Sequence, residues 1–245
     1  MKIFNEIKLA QELIRFPTVK TEDKGIIKFL SKKLSSIGFK CIVIKSKGTG
    51  IKPALNLYAK FGNSKPHINF LGHTDVVANL SNWKIPPFKG VIRKGYLNGR
   101  GSQDMKGGIA CFISAISNFI KNEKFQGSIS IIIAADEETT GLGTPAIIKY
   151  LKRRAEKIDF SIIAEPSSNK SIGDEIRIGR RGSMNGIITV NGKSGHSAFY
   201  GSYINPCTAL AKIIAKLKSL SLDNGTKFMP KSNLEFTKIN VENLS

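Results

Sequence analysis

The chain has 245 residues, with 38 Lys plus Arg against 18 Asp plus Glu, a formal net charge of +20. That length suits one large domain, or a domain and a half, with a sizeable buried core, and 41% hydrophobic residues with 23 scattered glycines exclude a disordered or collagenous chain. No stretch approaches 18 uninterrupted apolar residues, and Glu6 and Glu12 fall where a signal peptide needs an apolar run, so the expectation is a cytoplasmic protein without a membrane partner.

In chain order, apolar residues at Ile3, Ile7, Ala10, Leu13 and Ile14 follow helical spacing. So do Ile26, Ile27, Leu30, Leu34 and Ile37, with Gly38 as a helix stop. Short strands are expected at Phe39–Ile44, Ala54–Phe61 and His67–Leu71, separated by Gly, Pro, Lys and Asn. A helix follows from about Gly107 to Phe119, a strand at Ser128–Ala135, a helix near Thr144–Arg154 and a strand at Phe160–Ala164. This alternation predicts an α/β domain with a mostly parallel sheet. Beyond Gly182 the text changes to period-two alternation at Met184–Val190, then a helix from about Asn205 to Leu220, then polar sequence to Ser245. A boundary at about 178–183 divides residues 1–180 from residues 181–245.

Cys41, Cys111 and Cys207 lie far apart without a C-x-x-C pair, which argues against a disulfide framework or a thiolate zinc site, and Cys111 reads as core. Of the basic residues 30 are lysines scattered through every segment, so the positive charge reads as codon bias and not as a phosphate-binding stripe. No nucleic-acid partner is expected.

Acidic residues are scarce, so their positions at strand ends carry information. His73 and Asp75 form an H-x-D pair directly after the strand HINFL, on the same side of an extended segment. A metal-bound histidine needs its other ring nitrogen oriented, which a nearby carboxylate does, although an isolated H-x-D is more often a surface His beside a turn Asp. Asp104 lies in the glycine-rich loop GRGSQDMKGG, which lacks the G-x-x-x-x-G-K-[ST] phosphate pattern, and an acid there suits a cation. Asp136, Glu137 and Glu138 end the strand SISIIIAA, and Glu165 ends FSIIA. Adjacent carboxylates repel one another unless a cation compensates, and functional groups gather at the carboxyl edge of α/β sheets. Two strands ending in acids, with H-x-D after a third, favour a shared metal site over a solvated acidic loop. One His with several carboxylates suits two bridged divalent ions, with zinc, cobalt or manganese all compatible, and metal-assisted hydrolysis as the reaction class.

The ordered motifs GHTDVV, W-x-x-x-PF at Trp83–Phe88, GRGSQDMKGG, DEE, AEPSS and SGHSA resemble the dinuclear zinc deacylase and carboxypeptidase family, from the first helix to about Pro206. The resemblance implies a zinc-exopeptidase-like α/β catalytic domain, followed by the start of an α+β lid that mediates homodimerisation, and a small-molecule substrate. It implies that His73 and Glu165 bind one Zn2+, that Asp104 bridges both ions and that Glu138 binds the second, with Co2+ as a possible substitute. It casts Glu137 as general base and acid, Asp75 as the residue orienting His73, and His196, commonly of the partner subunit, as oxyanion stabiliser. Arg180 and Arg181 lie where the family grips substrate carboxylates, a salt bridge at the hinge being the alternative. Ser167, Ser168 and GRRGS at 179–183 point to the branch that removes succinyl groups over the one that removes acetyl groups. Another deacylase or dipeptidase of the family, or a noncatalytic fragment, are the rival readings. In the family the chain leaves the lid and returns to the catalytic domain, where a late His completes the second zinc site. Up to Ser245 only His67 is left for that part, and its place at the start of a strand makes it a poor substitute. The chain as given is therefore expected to hold at most one zinc tightly.

Overall fold

The computed structural model describes residues 2–47, 53–78, 81 and 83–241. The chain divides into two compact units, Met1–Glu175 and Ile176–Ser245.

The first unit is built on a five-stranded sheet of β1 (Lys40–Ser46), β2 (Ala54–Phe61), β3 (His67–His73), β6 (Ser128–Ala134) and β7 (Phe160–Ile163), in the order β1-β2-β6-β3-β7. β6 and β7 pair parallel with β3, whereas β2 is antiparallel to both β6 and β1. Four of the five strands therefore run in one direction and β2 alone opposes them. A separate hairpin, β4 (Val91–Arg93) and β5 (Tyr96–Asn98), turns through Lys94 and Gly95, both at positive φ as a tight two-residue turn requires.

Helices cover both faces of the sheet. α1 (Glu6–Ile14) starts where the Asn5 side chain accepts the Lys8 amide, and it buries Leu9, Ala10, Leu13 and Ile14. α2 (Ile26–Ser35) buries Ile26, Ile27, Leu30 and Leu34. α3 (Lys106–Asn122) buries Ile109, Ala110, Ile113 and Ser117, which leaves Cys111 exposed on the opposite side of the helix, not in the core as its apolar surroundings suggested. These faces pack with Leu57, Phe70, Ile129, Ile131 and Ile133. On the other sheet face Ile132, Ala134 and Tyr58 pack with Ile147 of α4 (Gly143–Arg153). Period two along β6 thus sends alternate residues into two cores, which is why every β6 residue is buried. Each fully buried Ile contributes about 1.5–3 kcal/mol over an exposed one.

In the second unit α5 (Pro206–Lys218) begins at Asn205, whose side chain accepts the Cys207 and Thr208 amides, with Pro206 at the first helical position. The alternation at Met184–Val190 does not become a strand: the unit's only strand-type pairing among the described residues is the Lys193–Ile204 bridge. A strand needs a neighbouring backbone to complete its ladder, and Met184 and Ile187 are exposed. The end of the polar tail, residues 242–245, lies outside the described residues. No helix among the described residues is long and apolar enough to cross a membrane.

Candidate metal centre

Three parallel neighbours, β6, β3 and β7, end side by side, and each delivers acids or imidazole at its carboxyl end. His73 is the last residue of β3, Glu137 and Glu138 follow β6, and Glu165 follows β7. Asp104 comes from the loop that opens α3, across an Asp104–Met105 peptide bond that is cis.

His73 is the hub. Its Nε2 lies 3.1 Å from Asp104 Oδ1, 3.5 Å from Glu165 Oε1 and 3.9 Å from Glu137 Oε2. Ligand atoms of His73, Asp104 and Glu138 lie within 4.8 Å of one another, as do those of His73, Glu137 and Glu165. Glu137 lies within ion-pairing reach of the imidazole but farther from Nε2 than Asp104 and Glu165, and its half-exposed side chain separates it from the largely buried Glu165.

The ring's other nitrogen, Nδ1, bonds to the main-chain carbonyl of Asp75 at 3.0 Å, with the Asp75 carboxylate Oδ1 at 3.6 Å. Asp75 is buried; its Oδ2 accepts the Glu138 amide at 2.9 Å, while Oδ1 has no hydrogen-bond partner. Burial pushes the His73 imidazole down, but the Asp75 carboxylate, Glu165 and Glu137 outweigh it and lift the ring to about 9. Burial raises Glu138, and the charges of Asp104, Glu137 and Asp75 add to it against the pull of His73. Burial also raises Glu165, with Asp104 and Glu137 reinforcing the effect and His73 opposing it. The surrounding carboxylates thus favour the charged form of the His73 ring.

Asp136, whose role the sequence left open, is fully buried at φ +67°, and its carboxylate takes both the hydroxyl and the amide of Thr140. It closes the turn that carries Glu137 and Glu138. His67 lies at the far end of β3, six residues and about 20 Å of extended strand from His73, between Ser130 Oγ and the Lys157 carbonyl, each at 2.8 Å. It fills a buried polar network there and takes no part in the centre.

His196, Arg180 and Arg181 belong to the second unit. His196 Nδ1 accepts the Ala198 amide at 3.1 Å and its ring meets Phe199 edge-on; Arg181 Nη1 reaches Asn233 Oδ1 at 3.5 Å, and Arg180 is exposed.

The donor set fits a divalent ion. An imidazole nitrogen and several carboxylate oxygens converge, Glu138 and Glu165 are held above their ordinary range by burial first and by neighbouring carboxylates second, and a cation would offset both.

Residues 70–243 match the model of peptidase family M20/M25/M40. The chain is 46% identical over 247 aligned residues to the succinyl-diaminopimelate desuccinylase of Pelagibacter ubique, covering 99% of this chain and 64% of that protein. It is 44% identical to the desuccinylase of Ehrlichia canis, covering 97% and 63%. The chain thus spans less than two thirds of the length of these curated relatives. Among solved structures, a Staphylococcus aureus tripeptidase superposes with a TM-score of 0.64 at 17% identity over 91% of this chain and 59% of its own. Human carnosine dipeptidase 1 gives 0.58 at 20% identity over 64% and 37%. Both share the fold. With the family model matched over residues 70–243, and with relatives more than 40% identical over nearly all of this chain, the chain belongs to peptidase family M20/M25/M40.

Proposed function

We propose that the chain carries the metal centre of a hydrolase that cleaves N-succinyl-LL-2,6-diaminopimelate to succinate and LL-2,6-diaminopimelate. The observation that carries this reading is the 46% identity to a desuccinylase over 99% of the chain, together with the acids gathered around His73 Nε2. In this reading residues 1–180 form the catalytic part and residues 181–245 belong to a lid through which subunits pair.

His73, Asp104 and Glu165 would hold one Zn2+, and Asp104 and Glu138 would contribute to a second. Bound divalent ions polarise an amide carbonyl and lower the pKa of water towards neutrality. Glu137, half-exposed beside the ligands, takes the proton from the attacking water and returns it to the leaving amine. Asp75 fixes the His73 ring through its carbonyl and carboxylate and fixes the Glu138 backbone through Oδ2. His196 would stabilise the tetrahedral oxyanion, and Arg180 and Arg181 would pair with substrate carboxylates, which suits the guanidinium fork.

The test is a side-by-side assay of the zinc-loaded protein on N-succinyl-diaminopimelate, N-acetylornithine and a dipeptide. A preference for the succinyl substrate is expected. Equal or faster release of acetate overturns the substrate assignment, and zinc binding without turnover of any of the three overturns the reaction for this chain.

A further inference from the structure

Lys106 opens α3 two residues after Asp104, and its side chain is wholly buried, where a cation is costly to keep. Its Nζ donates to the Phe16 carbonyl at 2.8 Å. Burial pulls this amine down to about 7, while the Asp75 charge acts the other way. Phe16 begins a strap, residues 16–20, that runs beside the segment following His73. There Thr18 Oγ1 donates to the Thr74 carbonyl at 2.5 Å, the Val76 amide to Thr18 O at 3.0 Å and the Lys20 amide to Val76 O at 3.3 Å. Val19 and Val76 form a parallel bridge.

The metal-loop side is equally tight. The Lys106 amide donates to Gly101 O at 2.9 Å. Gly101 has φ +83°, and a Cβ there would fall 2.9 Å from Val76 Cγ1 and 3.1 Å from Lys106 Cδ. The loop carrying Asp104 therefore folds onto the lysine stem and onto Val76 together.

We propose that Lys106 is a positioning residue, whose side-chain amine ties the Asp104 loop to the 16–20 strap and, through it, to the 74–76 segment, so that the separation of Asp104 from His73 is fixed. The inference rests on the metal centre proposed above. An unbranched apolar side chain would fill the same space without the cost of a buried charge. What the lysine amine supplies, and an apolar side chain does not, is a donor that reaches Phe16 O.

The test compares Lys106→Met, Thr18→Val and the double variant with the parent, each stripped of metal and titrated with zinc against a chromophoric chelator, with thermal unfolding run in parallel. Folded variants with zinc affinity reduced by about tenfold or more are expected, in line with losses of other groups that orient ligands. The double variant should match the weaker single within roughly twofold, because both changes break one chain of contacts. A parent that binds zinc tightly and a Lys106→Met variant that binds it equally well overturn the inference alone. A fall in thermal stability without loss of zinc affinity, or failure of Lys106→Met to fold, assigns the lysine to the core and also overturns it. A parent without zinc affinity overturns the metal centre and this inference with it.

Discussion

Asp75 Oδ2 accepts the backbone amide of Glu138 at 2.9 Å, so the residue two places after the metal-facing histidine also holds the backbone of a candidate ligand in the loop that follows the neighbouring strand. The ends of β3 and β6 are thereby locked together behind the site. One carboxylate serves two loops because β3 and β6 are hydrogen-bonded neighbours whose last residues, His73 and Ala134, pair directly.

Replacing Asp75 by Asn keeps the shape but removes the charge near Nδ1, and it leaves the Glu138 amide with a weaker acceptor. Zinc affinity should fall about 10- to 100-fold, the usual consequence of losing a group that orients a ligand. A competition titration against a chelator reads the loss, and affinity within about twofold of the parent would remove Asp75 from the centre.

Metal uptake should depend on pH in a definite direction. His73 must be neutral to bind an ion, yet in the metal-free site it is protonated up to about pH 9. Below that pH an ion bound through His73 displaces a proton, so apparent affinity at that site should rise by up to about tenfold per pH unit and level off as pH passes about 9. Linkage gives the same sign for metal-free stability: with its folded pKa raised above 6.5, His73 contributes stability that is fully present below pH 6.5 and lost as pH rises towards about 9. Calorimetric zinc titrations in buffers of different ionisation enthalpy would report the released proton, and an uptake that releases none between pH 6.5 and 8 contradicts the assignment of His73.

Glu137 and Glu165 are close to the same nitrogen but should fail differently. Glu137→Gln is expected to retain zinc and lose about 10² to 10⁴ in turnover, the contribution of a general base. Glu165→Gln should lose zinc first and activity with it. Metal content measured beside turnover for both variants separates the roles, and zinc loss in Glu137→Gln would make that residue a ligand.

The site was readable in the sequence because acids are few and sit where apolar strands stop, which is where side chains from parallel neighbours meet. The ordered motifs then located each candidate: His73, Asp104, Glu137, Glu138 and Glu165 all gather at one edge. What pattern reading could not supply were contacts between distant segments. The Val19–Val76 bridge is a single pair without periodicity, and the buried partner of Lys106 is a main-chain carbonyl 90 residues away. The β4–β5 hairpin, absent from the expected elements, does carry a local signal, Lys94-Gly95 between two short apolar runs. Cys111 is exposed although its residue type favours burial, because its helical phase places it away from the face of Ile109, Ala110 and Ile113. At Met184–Val190 alternation alone could not create a strand, since a ladder depends on a partner that a local pattern does not contain.

The close approach of α3 to β7 gives a final expectation. Gly108 lies in the first turn of α3, where a Cβ would fall 2.9 Å from Ala164 Cβ and 3.0 Å from the Ala164 carbonyl, the residue directly before Glu165. Helix propensity alone favours Ala over Gly by about 1 kcal/mol, so an exposed site would be stabilised by the change. Here the added methyl must push the end of β7 aside, and Glu165 moves with it, while His73 and Asp104 stay anchored elsewhere. Gly108→Ala should therefore weaken zinc binding by more than its modest effect on unfolding would suggest, and Gly108→Val should do so further. Chelator titration and thermal unfolding of the two variants provide the comparison. A Gly108→Ala protein that gains stability and keeps its zinc affinity would mean that the end of β7 yields freely, and that Glu165 is not held in place by the helix.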